Sequence, residues 1–210
     1  MPGDPRLLPM APPGSGAPPV FERIAIVGLG LIGGSLALAC RKQWPSALVI
    51  GVDEVATLET AVSRHAVDVA SEDLMIVSEA DLVVLAAPVH ENIAVVGRLA
   101  DCVRGAAVVT DVGETKRGIA AAAQSLPERL RFVGGHPLAG VATGAIEAAR
   151  ADLFRARPWF LAPAAPGAEE ALQRLLAFVE AIGARPHVLE SLSAFESAAL
   201  RNDRSPSAES

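Results

Sequence analysis

The stretch "IAIVGLGLIGGSLALAC", Ile24 to Cys40, sets Gly28, Gly30, Gly33 and Gly34 between two apolar runs. Glycine loses more conformational freedom on folding than any other residue, so a cluster of it inside a forming core needs a reason. Gly28, Gly30 and Gly33 spell G-x-G-x-x-G. Alone that motif is weak, because glycine-rich turns are common. Here it follows a predicted strand, "RIAIV", and opens a predicted helix, "LIGGSLALACRKQW". Asp53 lies 20 residues beyond Gly33, at the end of a second apolar run, "LVIGVD". That succession is the context of a dinucleotide site.

Each part of the motif then has a task. Gly28 makes the tight turn. Gly30 lets the backbone approach a pyrophosphate, where a Cβ would collide. Gly33 lets the helix pack on the strand. Leu29, Leu31 and Ile32 complete the turn, and the helix start offers free N–H groups and a positive dipole end to phosphates. Asp53 is expected to accept hydrogen bonds from ribose hydroxyls. It would repel a 2′-phosphate, and no Arg follows it immediately. The cofactor expected is NAD rather than NADP. The competing reading is a glycine-rich turn with no ligand.

Working along the chain, "DLVVLAAP" and "AAVVTDVG" are apolar runs without polar alternation, as strands buried on both faces of a parallel sheet are. "RFVGG", "PWFLAP" and "RPHVLE" are further short strands. Helical spacing recurs in "VATLETAVSRHA", "ENIAVVGRLADCV" and "TKRGIAAAAQSL". The clearest amphipathic helix is "AEEALQRLLAFVEAIG", with Gly183 as its stop. The alternation predicts an α/β fold: a doubly wound, mostly parallel sheet of the Rossmann type.

Residues 1–20 read as a disordered Pro-rich tail or as the product of a start codon chosen too early. Residues 21–189 read as the dinucleotide-binding domain, and 190–210 as a short helix and a disordered tail. Ser193 and Glu196 have capping-box spacing, and Leu189, Leu192, Phe195 and Ala199 form one apolar stripe.

The 210 residues are 51% hydrophobic and only 4% aromatic, with no tyrosine, which argues against an aromatic-rich sandwich. A net charge of −6 and the lack of any Lys/Arg run exclude nucleic acid as an expected partner. No apolar run approaches a membrane span, and prolines break the N-terminal apolar stretch, so no signal peptide is expected. Cys40 and Cys102 read as buried free thiols of a cytoplasmic protein, with a disulfide the alternative. No metal site is expected.

A second constellation is "FVGGHPLAG", Phe132 to Gly140. A lone His is more often structural than catalytic. His136, however, follows two glycines and precedes a proline that favours extended backbone. It is expected on a loop at the carboxyl edge of the sheet, where open α/β folds bind ligands. "TDVGETK" is expected at the same edge, with Asp111 either a site residue or a cap for the next helix. "APVHEN" is a third edge loop, with Ala87 and Pro88 toward the cofactor and His90 a helix-start residue rather than a catalyst. His65 and His187 read as surface and strand-end residues.

Taken together, "VGLGLIGGSLA", "DLVVLAAPV", "TDVGETK", "GGHPLAG" and "EAARADLF" resemble the prephenate/arogenate dehydrogenase family of tyrosine biosynthesis. The resemblance runs from Arg23 to Glu190 in the family's order and spacing. It implies NAD(P)-dependent oxidative decarboxylation of prephenate or arogenate, a small-molecule substrate. Hydride leaves the ring carbon bearing the 4-hydroxyl, and the ring carboxylate leaves as CO2. The family's catalytic histidine lies in the GGHP motif, here His136, and accepts a hydrogen bond from that hydroxyl.

Two departures from the family pattern stand out. Glu114 occupies a position where the family usually has Ser, so its carboxylate is expected to turn away or to pair with Lys116. Family members also continue into a helical domain that forms the homodimer and supplies a substrate arginine. The expectation for this chain is that the domain is missing, leaving NAD binding, impaired turnover and no family-type dimer. The rival readings are another small NAD(P)-dependent oxidoreductase and a non-catalytic NAD-binding module.

Overall fold

The computed structural model describes residues 18–139, 144–164, 167–192 and 194–195. Eight strands form one sheet in the order β3-β2-β1-β4-β5-β6-β7-β8. They are β1 (Arg23–Val27), β2 (Leu48–Val52), β3 (Val69–Ser71), β4 (Leu82–Leu85), β5 (Ala107–Asp111), β6 (Leu130–Pro137), β7 (Pro158–Pro163) and β8 (Arg185–Val188). All neighbours are parallel except β6 and β7. The doubly wound, mostly parallel sheet expected from the sequence is therefore the one found.

Period-two alternation splits the strands' side chains between two cores. Ile24 and Ile26 of β1 and Leu82 and Val84 of β4 join one cluster. Ala25, Val27, Val83 and Leu85 join the other. Helices α1 (Leu31–Gln43), α2 (Val55–Ser63) and α5 (Glu169–Ala181) cover the first face. Helices α3 (Val89–Cys102) and α4 (Arg117–Ala123) and a 3₁₀ turn at Leu74–Glu79 cover the second. Both faces being dry explains why the central runs carry no polar alternation.

Several sequence expectations need adjusting. β3 and the 3₁₀ turns at Leu74–Glu79 and Ile146–Ala148 have no counterpart in the sequence reading. α4 spans only Arg117–Ala123, shorter than the predicted run. β6 runs on through His136 to Pro137, because β7 returns antiparallel beside it and pairs His136 with Phe160. His136 is thus on a strand end, not on a loop. α5 stops as expected, with Gly183 at φ +88° just beyond it. Cys40 and Cys102 are free and buried, and burial pushes the Cys40 thiol far up. Leu192 and Phe195 pack inward, whereas Ser193, Glu196 and Ala199 lie outside the described residues, as do residues 1–17 of the Pro-rich tail. No helix among the described residues is long and apolar enough to cross a membrane.

Candidate functional site

In strand order the connections reverse direction between β1 and β4, and that is where a doubly wound sheet opens a crevice at its carboxyl edge. A cleft of about 640 Å³ lies there. Gly28, Gly30, Asp53, Ala87 and Pro88 line it, as do Glu54, Glu72 and Glu91.

The turn between β1 and α1 separates two kinds of glycine. Gly28 has φ +90°, and a Cβ on it would sit 2.3 Å from the Ala87 nitrogen. A Cβ on Gly33 would sit 1.9 Å from the Gly28 carbonyl oxygen. The fold itself demands both. Gly30 differs: its φ is −62° and its backbone extended, and the nearest atom to an added Cβ is 3.7 Å away. Among the described residues nothing in the packing requires glycine there.

Asp53 follows β2 at the cleft. Its Oδ2 accepts from the Leu29 N–H at 2.5 Å and its Oδ1 from the Glu54 N–H at 2.7 Å. Each carboxylate oxygen keeps acceptor capacity for a ligand. Leu29 itself is fully buried behind the turn. The Leu31 N–H, expected to be free, donates to the Gly144 carbonyl at 3.1 Å. A phosphate at the start of α1 must displace that carbonyl. Ile32 and Gly33, in the first turn of α1, do not line the cleft. The Gly144 strap is held by Arg64, whose guanidinium donates to the carbonyls of Ile146, Glu147 and Ala149. The Arg150 N–H donates to the Ser35 hydroxyl, tying the strap to α1.

Asn92 of α3 is buried, and its Nδ2 donates to the Ala87 carbonyl at 2.7 Å, fixing the Ala87–Pro88 loop. The sequence reading missed both Arg64 and Asn92. An Asn among the apolar positions of a helix was the available signal for the second; Arg64 gave none, since its partners lie over 80 residues away.

Asp111 and His136 stand apart from the cleft walls. Asp111 ends β5 with 1% exposure and neither lines the cleft nor caps α4, whose N-cap is Lys116. Its Oδ2 accepts from Lys116 Nζ at 2.6 Å and from the Gly113 N–H at 3.1 Å, and its Oδ1 from the Gly135 N–H at 3.2 Å. Lys116 gives its other donors to the Gly113 and Gly135 carbonyls. Burial pushes the Asp111 carboxyl up and the Lys116 ammonium down, and their attraction opposes both shifts. Glu114 is exposed and is not among the partners of Lys116 Nζ, and its charge still reaches His136.

His136, half-buried near the end of β6, lies two strands beyond β4, roughly 10 Å along the sheet edge at the usual strand spacing. Its Nδ1 is buried with no partner among the described residues. Burial lowers its pKa below the ordinary histidine value, and the Lys116 charge lowers it further. Both effects favour the neutral ring, and the main chain at Val112 and Gly113 opposes them. His90 is exposed in the first turn of α3 beside Glu91, His65 is exposed, and His187 is exposed on β8. None of the three lines the cleft. Among the described residues no cluster suited to a metal ion occurs.

A family model described as "Prephenate dehydrogenase, nucleotide-binding domain" matches residues 36–188. The chain is 35% identical over 176 residues to a prephenate dehydrogenase of Bacillus subtilis (strain 168), covering 80% of this chain and 46% of that one. Among solved structures, Synechocystis arogenate dehydrogenase is 34% identical with a TM-score of 0.76, covering 84% of this chain and 62% of that one. A. aeolicus prephenate dehydrogenase, solved in complex with hydroxyphenyl propionate and NAD+, is 25% identical with a TM-score of 0.78 over the same shares. The chain spans about half the length of the curated relatives it matches.

Proposed function

The chain belongs to the prephenate dehydrogenase family, and we propose that it holds NAD in the cleft at Gly30 for the oxidative decarboxylation of prephenate or arogenate. In this reading residues 21–189 act as the dinucleotide-binding domain of an enzyme of tyrosine biosynthesis. The free thiols support a reducing, cytoplasmic location.

The observation that carries the cofactor assignment is Gly30. Its backbone angle and surroundings tolerate a side chain, so its use follows from a group that must come within touching distance of the turn. A pyrophosphate drawn to the positive end of α1 is such a group. Asp53 would take the ribose hydroxyls. Glu54 and Glu72 line the same cleft, and this acidic wall supports NAD over a cofactor with a 2′-phosphate.

Bound nicotinamide supplies a hydride acceptor. The chain's own residues do the rest. The Gly28–Gly30 turn and Asp53 fix where the cofactor lies along the sheet edge. The His136 imidazole, kept neutral by burial, accepts a hydrogen bond from the substrate hydroxyl. It holds that proton while the carbon–oxygen bond gains carbonyl character and hydride departs. Loss of the ring carboxylate as CO2 then returns the electron pair to the ring, and the proton stays with the phenol.

Calorimetric titration of the chain with NADH and NADPH tests the cofactor reading. Tighter NADH binding is expected, and tighter NADPH binding would overturn it. Incubation with prephenate or arogenate and NAD, followed at the NADH absorbance, tests the reaction.

A further inference from the structure

The parallel ladder between β5 and β6 has its last register pair at Thr110 and Val133, three residues before His136. Beyond it the strands are joined by side chains. The Gly135 N–H donates to Asp111 Oδ1, and the Gly135 carbonyl accepts from Lys116 Nζ at 2.7 Å. Both main-chain groups of the residue preceding His136 are thus held by one ion pair. That pair is sealed from water: Asp111 and Lys116 are 1% and 2% exposed. Phe195, itself buried, lays its ring 5.0 Å from the ammonium. Gly135 must be glycine for this to work, since a Cβ there would sit 2.6 Å from the Asp111 carbonyl oxygen.

We propose that Asp111 and Lys116 are positioning residues for His136, a side-chain continuation of the β5–β6 ladder that fixes the main chain from which the imidazole projects. A buried pair used only for stability would be an expensive choice, because desolvating two charges offsets most of their attraction. Here the pair satisfies two main-chain groups that the ladder leaves open and puts a fixed positive charge beside the ring. The charged groups acting on His136 are Lys116, which favours the neutral ring, and exposed Glu114, which opposes it; the main chain at Val112 and Gly113 also opposes it. The Asp111 carboxylate beside Lys116 tempers the lysine's effect. The assignment rests on His136 being the hydrogen-bonding residue of the proposed reaction, but its test needs neither cofactor nor substrate.

The test is an NMR titration of His136 in the full chain, its signals assigned by their loss in His136→Asn. In Lys116→Met the titration midpoint of His136 is expected to rise by about one unit, as a like charge is removed from its side. The ring's nitrogen shifts are expected to broaden or split as its fixed orientation is lost. Lys116→Met leaves Asp111 without its counter-charge and is at risk of misfolding, so Asp111→Asn/Lys116→Met is measured beside it. That double variant removes both charges together and keeps an acceptor for the Gly135 N–H. It should fold, bind NADH within about twofold of the parent, and show the same change in ring nitrogen shifts. A folded double variant with the parent's His136 midpoint and nitrogen shifts would overturn the proposal and leave the pair a purely structural one. Failure of the parent to bind NADH would instead count against the cofactor reading and leave this result standing.

Discussion

At the β1–α1 turn, position is set by backbone geometry: a glycine at positive φ, a second glycine under a carbonyl, and an extended third whose added Cβ would meet no described atom closer than the Gly144 carbonyl at 3.7 Å. At the end of β6, position is set by two buried charges that hold a main-chain segment from a neighbouring loop. The first arrangement is local, since its three glycines lie within six residues of one another. The second joins residues 19 to 24 positions apart and is assembled only once β5 and β6 are side by side. A turn built from steric necessity tolerates no side chain where it is tight. A centre built from charge tolerates shape changes better than it tolerates losing one partner.

The largest effects should come from breaking the turn. Gly28→Ala and Gly33→Ala each drive a Cβ into main-chain atoms, and Gly28 adds the cost of positive φ. Each should lose about 3 kcal/mol or more in urea unfolding. A loss under about 1 kcal/mol would show that the turn relaxes far more easily than its geometry indicates.

Next comes the histidine. In whichever preparation turns over prephenate or arogenate with NAD, His136→Asn should cut turnover on the order of 10²–10⁴-fold, the usual worth of a positioned proton partner. NADH binding should hardly change. A variant that loses NADH binding instead would make His136 a structural residue. The acid limb of the parent's rate profile should lie below the ordinary histidine value of about 6.5, because burial and Lys116 both favour the neutral ring. As pH falls through its lowered pKa, His136 takes a proton and loses its acceptor. A limb above that value would contradict this.

A smaller effect is expected at Asp53. Asp53→Ala should weaken NADH binding about tenfold, the worth of a charge-assisted hydrogen bond, and NADPH binding less. Equal losses for both would remove Asp53 from cofactor choice.

The contrast between the two regions also explains what the sequence could disclose. The G-x-G-x-x-G turn, the acid after β2 and the strand runs are local patterns, and the fold and the cleft follow from them. The Ala87–Pro88 loop was visible as the end of a strand. Asp111 was ambiguous, because a carboxylate before a helix looks alike whether it caps, binds a ligand or pairs with a lysine. Only the fold brings Gly135 to it. His136 was expected on a loop because it follows the short strand run "RFVGG". Pro137 sits in β6 because β7 pairs beside it and the strand closes there. Arg64 was invisible, since the carbonyls that it gathers belong to a strap brought over α1 by tertiary packing.

The most direct test of the cofactor assignment is Gly30→Ala, read for both stability and NADH binding. Among the described residues an added methyl meets no atom closer than 3.7 Å, so stability should stay within about 0.5 kcal/mol of the parent. The same methyl should weaken NADH binding about tenfold or more, because it occupies space that the pyrophosphate needs. A Gly30→Ala chain with unchanged stability and unchanged NADH affinity would contradict the account.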